Sequence, residues 1–456
     1  MKFYPNSAAA RDIAYHLHPF TDLSTHEERG PFIVTRGDGV YVSDDEGNRY
    51  LEGLAGLWCT SLGFSEERLV KAAIRQLEEL PTYNTFAHKT ASTVIDLAEK
   101  LIGIAPAPMS KVFFTNSGSE ANDTQVKLVW YYNNVRGRPE KKKIIARKGA
   151  YHGITLAAAS LTGLSYAHKH FDAPIANILH TACPHYYHYA LDGESEEAFA
   201  TRMAGELEQL ILDEGPDTIA AFIAEPLLGA GGVITPPKTY FDKIQALLRK
   251  YDVLFIVDEV ITGFCRTGNM FACETYGLEP DMMTVAKALS SGYQPIGAVM
   301  INEDIYHTLV EGSRELGIFA TGFTYSGHPV PAAVALETLK IYEDRNILDH
   351  VRQVAPRFQQ RLHAFADHPL VGETRGVGLI GAVELVEDKT ARNNFDAARK
   401  VGHWVMNRAL DHGLIVRSLV NDTIAFCPPL IISESEIDEL FDRIAKCLDD
   451  AEVMLS

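Results

Sequence analysis

The chain has 456 residues, with 42 Lys+Arg against 60 Asp+Glu and a formal charge of −18. Hydrophobic residues make up 46%, ample for a buried core and too many for an intrinsically disordered chain. The acidic balance argues against general attraction to nucleic acid or an anionic membrane, while leaving room for a local anion site built on backbone N–H groups.

The N-terminal stretch Met1 to Ser7 carries no apolar run of the signal-peptide kind. The most apolar runs, such as Val253 to Val257, are far too short to span a bilayer. Six cysteines (Cys59, Cys183, Cys265, Cys273, Cys427 and Cys447) are scattered without a C-x-x-C pair, so neither a disulfide framework nor a zinc ribbon is indicated. The expectation is a soluble cytoplasmic protein.

Strand-like Phe32 to Thr35 and Val40 to Ser43 flank a Gly37-Asp38-Gly39 turn. From about residue 110 to 300, short apolar runs alternate with helical patterns. The runs are Val112 to Phe114, Ile144 to Ala146, Ile219 to Ala224, Val253 to Val257, Met282 to Val285 and Gly297 to Ile301. Runs this apolar suit strands covered on both faces. Between them Phe199, Met203, Leu207, Leu210 and Ile211 recur at helical spacing, as do Tyr240, Ile244, Leu247 and Leu248. This alternation predicts a wound, mainly parallel α/β sheet with ligands at the carboxyl ends of its strands.

After residue 328 the pattern changes. Helical stretches at Val330 to Tyr342 and Val351 to Phe365 lead to runs at Gly378 to Val386, Leu414 to Val416 and Thr423 to Phe426. A last helix carries Ile437, Leu440, Ile444 and Leu448. The expected division is a segment 1–60 packing with the small domain, a large α/β domain 61–328, and a small α+β domain 329–456.

Three local patterns bear on chemistry. Val112 to Thr115 runs into Asn116-Ser117-Gly118-Ser119-Glu120, a small-residue turn opening a helix, with a capping-box pattern. Gly118 admits a ligand to the backbone, Ser117 and Ser119 supply hydroxyls, and a helix N-terminus favours an anion. The apolar run to Val257 ends in Asp258 and Glu259, which strand alternation points to opposite faces. Met282 to Val285 is followed at once by Ala286-Lys287, a lysine among small residues. Enclosed there, it would lose charge and become a competent amine nucleophile. Each pattern alone fits a plain role as a cap, a strand end or a solvated lysine. Together they give a phosphate cradle, a carboxylate and an amine in order along one sheet, the groups that pyridoxal 5′-phosphate (PLP) requires.

Across almost the whole chain the sequence resembles the class III aminotransferases of the fold-type I PLP enzymes, and most closely the amine:pyruvate (ω-) transaminases. The resemblance rests on Thr115 to Asn122, Ala150-Tyr151-His152-Gly153, Glu225-Pro226, Asp258-Glu259-Val260, Ala286-Lys287 and Gly322 to Pro329. It implies that Lys287 is the Schiff-base lysine and that Asp258 pairs with the pyridine nitrogen, keeping the ring protonated. Tyr151, beside His152, would stack on the cofactor ring and Val260 would cover its other face. Ser117, Gly118 and Ser119 would cradle the phosphate, with Thr324 reaching it from a partner subunit, and Glu225 would lie near the ring hydroxyl.

For substrate, Phe20, Leu57, Trp58, Phe86 and Tyr151 resemble the aromatic pocket wall of amine transaminases, and Arg417 resembles their mobile arginine, suited to the carboxylate of pyruvate or alanine. The implied reaction is ping-pong transfer from an aryl-alkyl amine, a diamine, β-alanine or 6-aminohexanoate to pyruvate. It gives an aldehyde or ketone plus L-alanine, with pyridoxamine 5′-phosphate as the intermediate cofactor form. Racemase, aminomutase, decarboxylase and 2-oxoglutarate-dependent aminotransferase chemistry on the same fold are the alternatives. A homodimer with shared sites, or a tetramer, is implied, with no nucleic-acid or membrane partner. Two departures from the family pattern are Cys265, where relatives usually carry glycine, and Ala288, where glycine is common; a Cβ at either place shifts the loop slightly.

Other patterns are set aside. Gly376-Val377-Gly378-Leu379-Ile380-Gly381 fits G-x-G-x-x-G but leads into a strand-like run, not a helix. Cys183, His185 and His188 lack a fourth ligand nearby in sequence. His16 and His18 read as structural or exposed. Asn122-Asp123-Thr124 matches a glycosylation acceptor, irrelevant without secretion.

Overall fold

The apolar runs resolve into fifteen strands among residues 4–456, the residues described by the computed structural model. The first three are β1 (Val34–Asp38), β2 (Tyr41–Asp44) and β3 (Arg49–Glu52). The central group is β4 (Lys111–Thr115), β5 (Lys143–Arg147), β6 (Ile178–Thr181), β7 (Ile219–Ala224), β8 (Leu254–Asp258), β9 (Met282–Val285) and β10 (Gly297–Ile301). The last five are β11 (Val371–Val377), β12 (Ile380–Leu385), β13 (Leu414–Ile415), β14 (Arg417–Ser418) and β15 (Thr423–Phe426).

The central sheet has the order β4-β10-β9-β8-β7-β5-β6. Strands β5 to β9 pair in parallel, whereas β10 is antiparallel to both neighbours, β4 and β9. The mainly parallel α/β sheet expected from the sequence is therefore present, with one reversed strand. β6 is absent from the predicted runs for a physical reason: it is an edge strand, with Leu179 and His180 only half-buried, so it needs no unbroken apolar stretch.

Strand alternation sends the inner residues into two cores. Ile144, Ile223, Ile256, Met282 and Val299 pack with Ala121, Leu128 and Tyr132 of the helix Gly118–Val135. Ile145, Phe222, Val257, Met283 and Met300 face the opposite side, with Phe199 of the helix Glu196–Glu214 and Phe241 of the helix Tyr240–Lys250. The same parity decides the polar positions. Asp258 and Thr284 look toward the helix Gly118–Val135 and bond to its Asn122, while Glu259 looks away and binds the Cys273 N–H.

The second sheet, β1-β2-β3-β13, sets the late strand β13 in parallel beside β3. The third, β11-β12-β15-β14, is antiparallel throughout. Two predicted runs are corrected here. Leu414 to Val416 is not one strand, because at Val416 the chain leaves the second sheet and enters the third as β14. The run from Gly378 begins two residues late, because Gly378 turns the β11–β12 hairpin at φ +59°, where a Cβ would lie 2.4 Å from the Arg266 carbonyl oxygen. The G-x-G-x-x-G stretch is thus a hairpin, with no helix behind it. Among the described residues no helix is long and apolar enough to cross a membrane.

Gly297 opens β10 against the turn after β4, where a Cβ would lie 2.7 Å from both the Ser117 carbonyl oxygen and Thr115 Oγ1. Gly297→Ala should therefore lower the unfolding free energy by about 1–3 kcal/mol through overpacking. The measurement is the denaturant midpoint at unchanged slope; an unmoved midpoint would show that the two strands part freely.

Candidate active site

A single cavity of about 390 Å³ opens at one edge of the central sheet. The carboxyl ends of β4, β5, β7, β8 and β9 supply Ser117, Gly118 and Ser119, then Tyr151 and His152, then Glu225, then Asp258 and Val260, then Lys287. The amino end of the reversed β10 adds Gln294, Pro295 and Ile296. Sheet topology, not sequence proximity, gathers these groups. Of the residues assigned to the cofactor, all but Thr324 line this space.

Ser117 caps the helix Gly118–Val135, its Oγ accepting the Glu120 N–H at 3.1 Å. The predicted capping box closes differently. Glu120 reaches past Ser117 to accept the N–H of Asn116 at 2.7 Å and its Nδ2 at 2.9 Å. The first-turn N–H groups of Gly118 and Ser119 have no intrahelical acceptor, so this rim of the cavity is a donor-rich place for an anion. A Cβ at Gly118 would meet Val260 Cγ2 at 3.0 Å, so the turn and Val260 leave no spare room between them.

Asp258 is buried and held by three donors. Its Oδ2 accepts Asn122 Nδ2 at 2.8 Å and faces His152 Nδ1 at 2.8 Å, while Oδ1 accepts the Val260 N–H at 3.1 Å. The contact places the imidazole proton on Nδ1, and the buried Nε2 of His152 has no partner among the described residues. Asn122 is itself clamped, donating to the His152 carbonyl at 2.6 Å and accepting from Thr284 Oγ1 at 2.8 Å. Its site role was missed in the sequence, where it reads only as a motif residue; the signal was its place one helical turn past the cap, on the face toward β8 and β9.

Lys287 sits at φ +46°, in the left-handed region that costs an L-residue about 1–2 kcal/mol. The turn around it is fixed by the Leu289 N–H on the Ala286 carbonyl and the Gly292 N–H on the Lys287 carbonyl. Its amine has no hydrogen-bond partner among the described residues. Burial holds it below the usual lysine range, against the opposing pull of Asp258 and Glu225. Backbone strain and lost solvation therefore meet on one amine, a combination typical of functional sites.

Glu225 is buried, its two oxygens accepting the N–H groups of Tyr151 at 3.0 Å and Gly229 at 2.9 Å. Burial raises its pKa, opposed by His152 and aided by Asp258. At the mouth, the exposed Phe20 meets Tyr151 edge-on with centroids 6.4 Å apart and Tyr166 at 6.2 Å. Burial raises both phenols, and the nearby Arg417 guanidinium opposes it. Arg417 has no ion-pair partner among the described residues.

The other predicted wall residues are spread out. Trp58 is buried with Leu54, Leu227 and Ile261, so it backs the cavity through Ile261, while Leu57 is exposed. Phe86 lies against the segment that carries Thr324: a Cβ at Gly322 would be 2.8 Å from its ring. Both Phe86 and Thr324 are exposed and outside this cavity. The two departures also find their places. Cys265 is buried at φ +73°, a conformation that favours glycine, whereas Ala288 is buried in the turn after Lys287 with its carbonyl accepting the Tyr342 hydroxyl at 2.7 Å.

Behind the Leu57–Trp58 loop lies Glu52, buried, accepting the N–H groups of Leu54 and Gly56. Burial lifts its carboxyl to about 7 from an ordinary 4.5, although both N–H groups favour the charged form. The unfolded chain gives up this proton at lower pH than the folded one, so the stability it contributes falls as pH rises from 4.5 to about 7. The shift corresponds to about 3 kcal/mol. Unfolding measured across that range should show the wild type losing about this much relative to Glu52→Gln; a constant difference between the two would contradict the shift.

Comparison with known proteins agrees with this geometry. The chain matches the family described as aminotransferase class-III over residues 23–448. It is 53% identical over 453 residues to gamma aminobutyrate transaminase 3, chloroplastic, of Solanum lycopersicum, covering 98% of this chain and 87% of that one. The omega transaminase from Pseudomonas jessenii in complex with PMP superposes with a TM-score of 0.96 at 55% identity, covering 98% of each chain. A thermostable omega transaminase variant, W58M/F86L/R417L, described as engineered for asymmetric synthesis of enantiopure bulky amines, gives 0.97 at 54% identity, covering 99% of this chain and 100% of that one. A family match over nearly the full length and an amine, a carboxylate and an anion cradle at one sheet edge lead to the same conclusion: the chain belongs to the class-III aminotransferases.

Proposed function

We propose that this PLP-dependent aminotransferase takes its amino group from a primary amine or an ω-amino acid and delivers it to pyruvate, releasing an aldehyde or ketone and L-alanine. The observation that carries the reading is the mouth of the cavity, where Phe20, Tyr151 and Tyr166 form an aromatic wall beside the unpaired Arg417 guanidinium. An apolar amine finds the rings in one half-reaction, and a keto acid finds the guanidinium in the other. The names of the relatives support it. γ-Aminobutyrate is an ω-amino acid, and the three substitutions of the bulky-amine variant carry the residue types and numbers of Trp58, Phe86 and Arg417 here.

The residues present fit PLP. The unpartnered amine of Lys287, the tight Gly118–Val260 approach and the orphaned His152 Nε2 all lie on one cavity. When bound, PLP supplies an aldehyde that condenses with amines and a ring that accepts the electrons of a broken Cα–H bond. Ser117, Gly118 and Ser119 would hold its phosphate, and Asp258, fixed by Asn122 and His152, would hold the ring nitrogen's proton. Tyr151, positioned by Glu225, and Val260 would enclose the ring. Lys287 Nζ would carry the proton between carbons as base and then acid, a task eased by its lowered pKa.

The same reading assigns residues 61–328 to cofactor binding, with 1–60 and 329–456 forming the smaller unit. Thr324 and Phe86, grouped on the surface away from this cavity, serve the site of a second copy in a homodimer. Six unpaired cysteines suit a reducing compartment such as the cytoplasm.

The test is a panel of donors (an aryl-alkyl amine, a diamine, β-alanine, 6-aminohexanoate and γ-aminobutyrate) with pyruvate and then 2-oxoglutarate as acceptors. Stoichiometric alanine formation, with pyruvate preferred, is expected; turnover with 2-oxoglutarate alone, or racemised or decarboxylated product without alanine, would overturn the assignment. Lys287→Ala should lower turnover by on the order of 10⁴-fold and leave no borohydride-trapped pyridoxyl label in the intact fold. A label retained on the variant would move the role elsewhere.

A further inference from the structure

The N-terminal segment gathers three histidines around one carboxylate, apart from the cavity and unused by amino transfer. Asp12, on the helix Ala8–Tyr15, is met by His16 Nδ1 at 3.1 Å and His18 Nε2 at 2.8 Å. His26 Nε2, from the helix Leu23–Arg29, reaches the same carboxylate at 3.2 Å. The imidazoles lie side by side, with centroids 4.2 Å apart for His16 and His18 and 4.3 Å for His18 and His26. The ion-pair partners of Asp12 are these three histidines alone among the described residues. Imidazole nitrogens and a carboxylate oxygen gathered in this way are the donor types that first-row divalent metals take.

The geometry points to a site for one divalent cation of the zinc class, Zn²⁺, Ni²⁺ or Cu²⁺, bound by Asp12, His16 and His18, with His26 steadying the carboxylate. The ligand atoms of the first three lie within 4.8 Å of one another. In a tetrahedral zinc site with bonds near 2.0–2.1 Å, ligand atoms are separated by about 3.3 Å; His16 Nδ1, 3.1 Å from Asp12 Oδ1, and His18 Nε2, 2.8 Å from Asp12 Oδ2, flank the carboxylate near that spacing. Two imidazoles and one carboxylate select against Mg²⁺ and Ca²⁺, which take oxygen sets. His16 is more than half exposed, giving an ion its approach and leaving a place for a water ligand.

A second histidine cluster, His185, His188 and Glu384, does not offer the same chemistry. There Arg375 already holds Glu384 at 2.7 Å and Glu373 at 2.5 Å, and its fixed charge opposes a metal ion. Among the described residues no lysine or arginine is paired with Asp12. Its loop between His18 and His26 carries Phe20, so the site lies next to the mouth of the cavity without forming part of it.

The experiment is a Co²⁺ titration of the untagged holoenzyme followed by visible spectroscopy, with Zn²⁺ as competitor and isothermal calorimetry for stoichiometry. One Co²⁺ per chain with ligand-field bands of low coordination, displaced by Zn²⁺, is the expected result. Asp12→Asn with His18→Gln should weaken binding at least about tenfold, and His16→Gln alone, at an exposed position, should weaken it without threatening the fold. His307→Gln, an exposed histidine paired with Glu303, should leave it unchanged. Absence of a stoichiometric site, or equal binding by the wild type and the Asp12 and His16 variants, would overturn the proposal.

Discussion

The site depends on one electrostatic constraint: a buried carboxylate, Asp258, and a half-buried amine, Lys287, at the ends of adjacent parallel strands. Neither group would sit there without support. A buried carboxylate is tolerated when several donors replace its lost water, and Asp258 has three, from Asn122, His152 and the Val260 backbone. The amine has no comparable acceptors among the described residues, and its loss of solvation appears as a lowered pKa. The two halves are unequal by design: one charge is stabilised by the protein, while the other is kept reactive.

The rest of the architecture serves this pair. Two cores on opposite faces of the central sheet hold β8 and β9 in register, which sets the spacing between Asp258 and the turn of Lys287. The reversal of β10 brings its amino end, with Gln294 to Ile296, to the same edge as the carboxyl ends of its neighbours and closes the cavity floor. The left-handed backbone of Lys287 is strain that this packing over-determines. Farther out, burial gives way to exposure. Phe20 and Leu57 are exposed, and Arg417 leads a two-residue strand just after the chain passes between sheets.

Much of this was legible along the chain. Unbroken apolar runs marked the strands buried on both faces, and the change from run to small-residue turn marked the ligand edge. Parity within Val257-Asp258-Glu259 already separated the two carboxylates. The edge strand β6 and the break at Val416 were not legible, because an edge needs no continuous apolar stretch and a sheet exchange leaves no trace in hydrophobicity. The bonds from Asn122 and His152 to Asp258 and from Thr284 to Asn122 were also hidden, since the partners lie more than a hundred residues apart and are ordinary in type. The grouping of the histidines around Asp12 was likewise hidden, because sequence reading treats them as separate residues.

By itself, then, the sequence determined the fold class and the kind of chemistry, because local periodicity and the residue types at strand ends are properties of short segments. Tertiary structure alone decided which groups share a cavity and how each charge is solvated. Those outcomes depend on burial and on distances between segments hundreds of residues apart, and no local pattern encodes them.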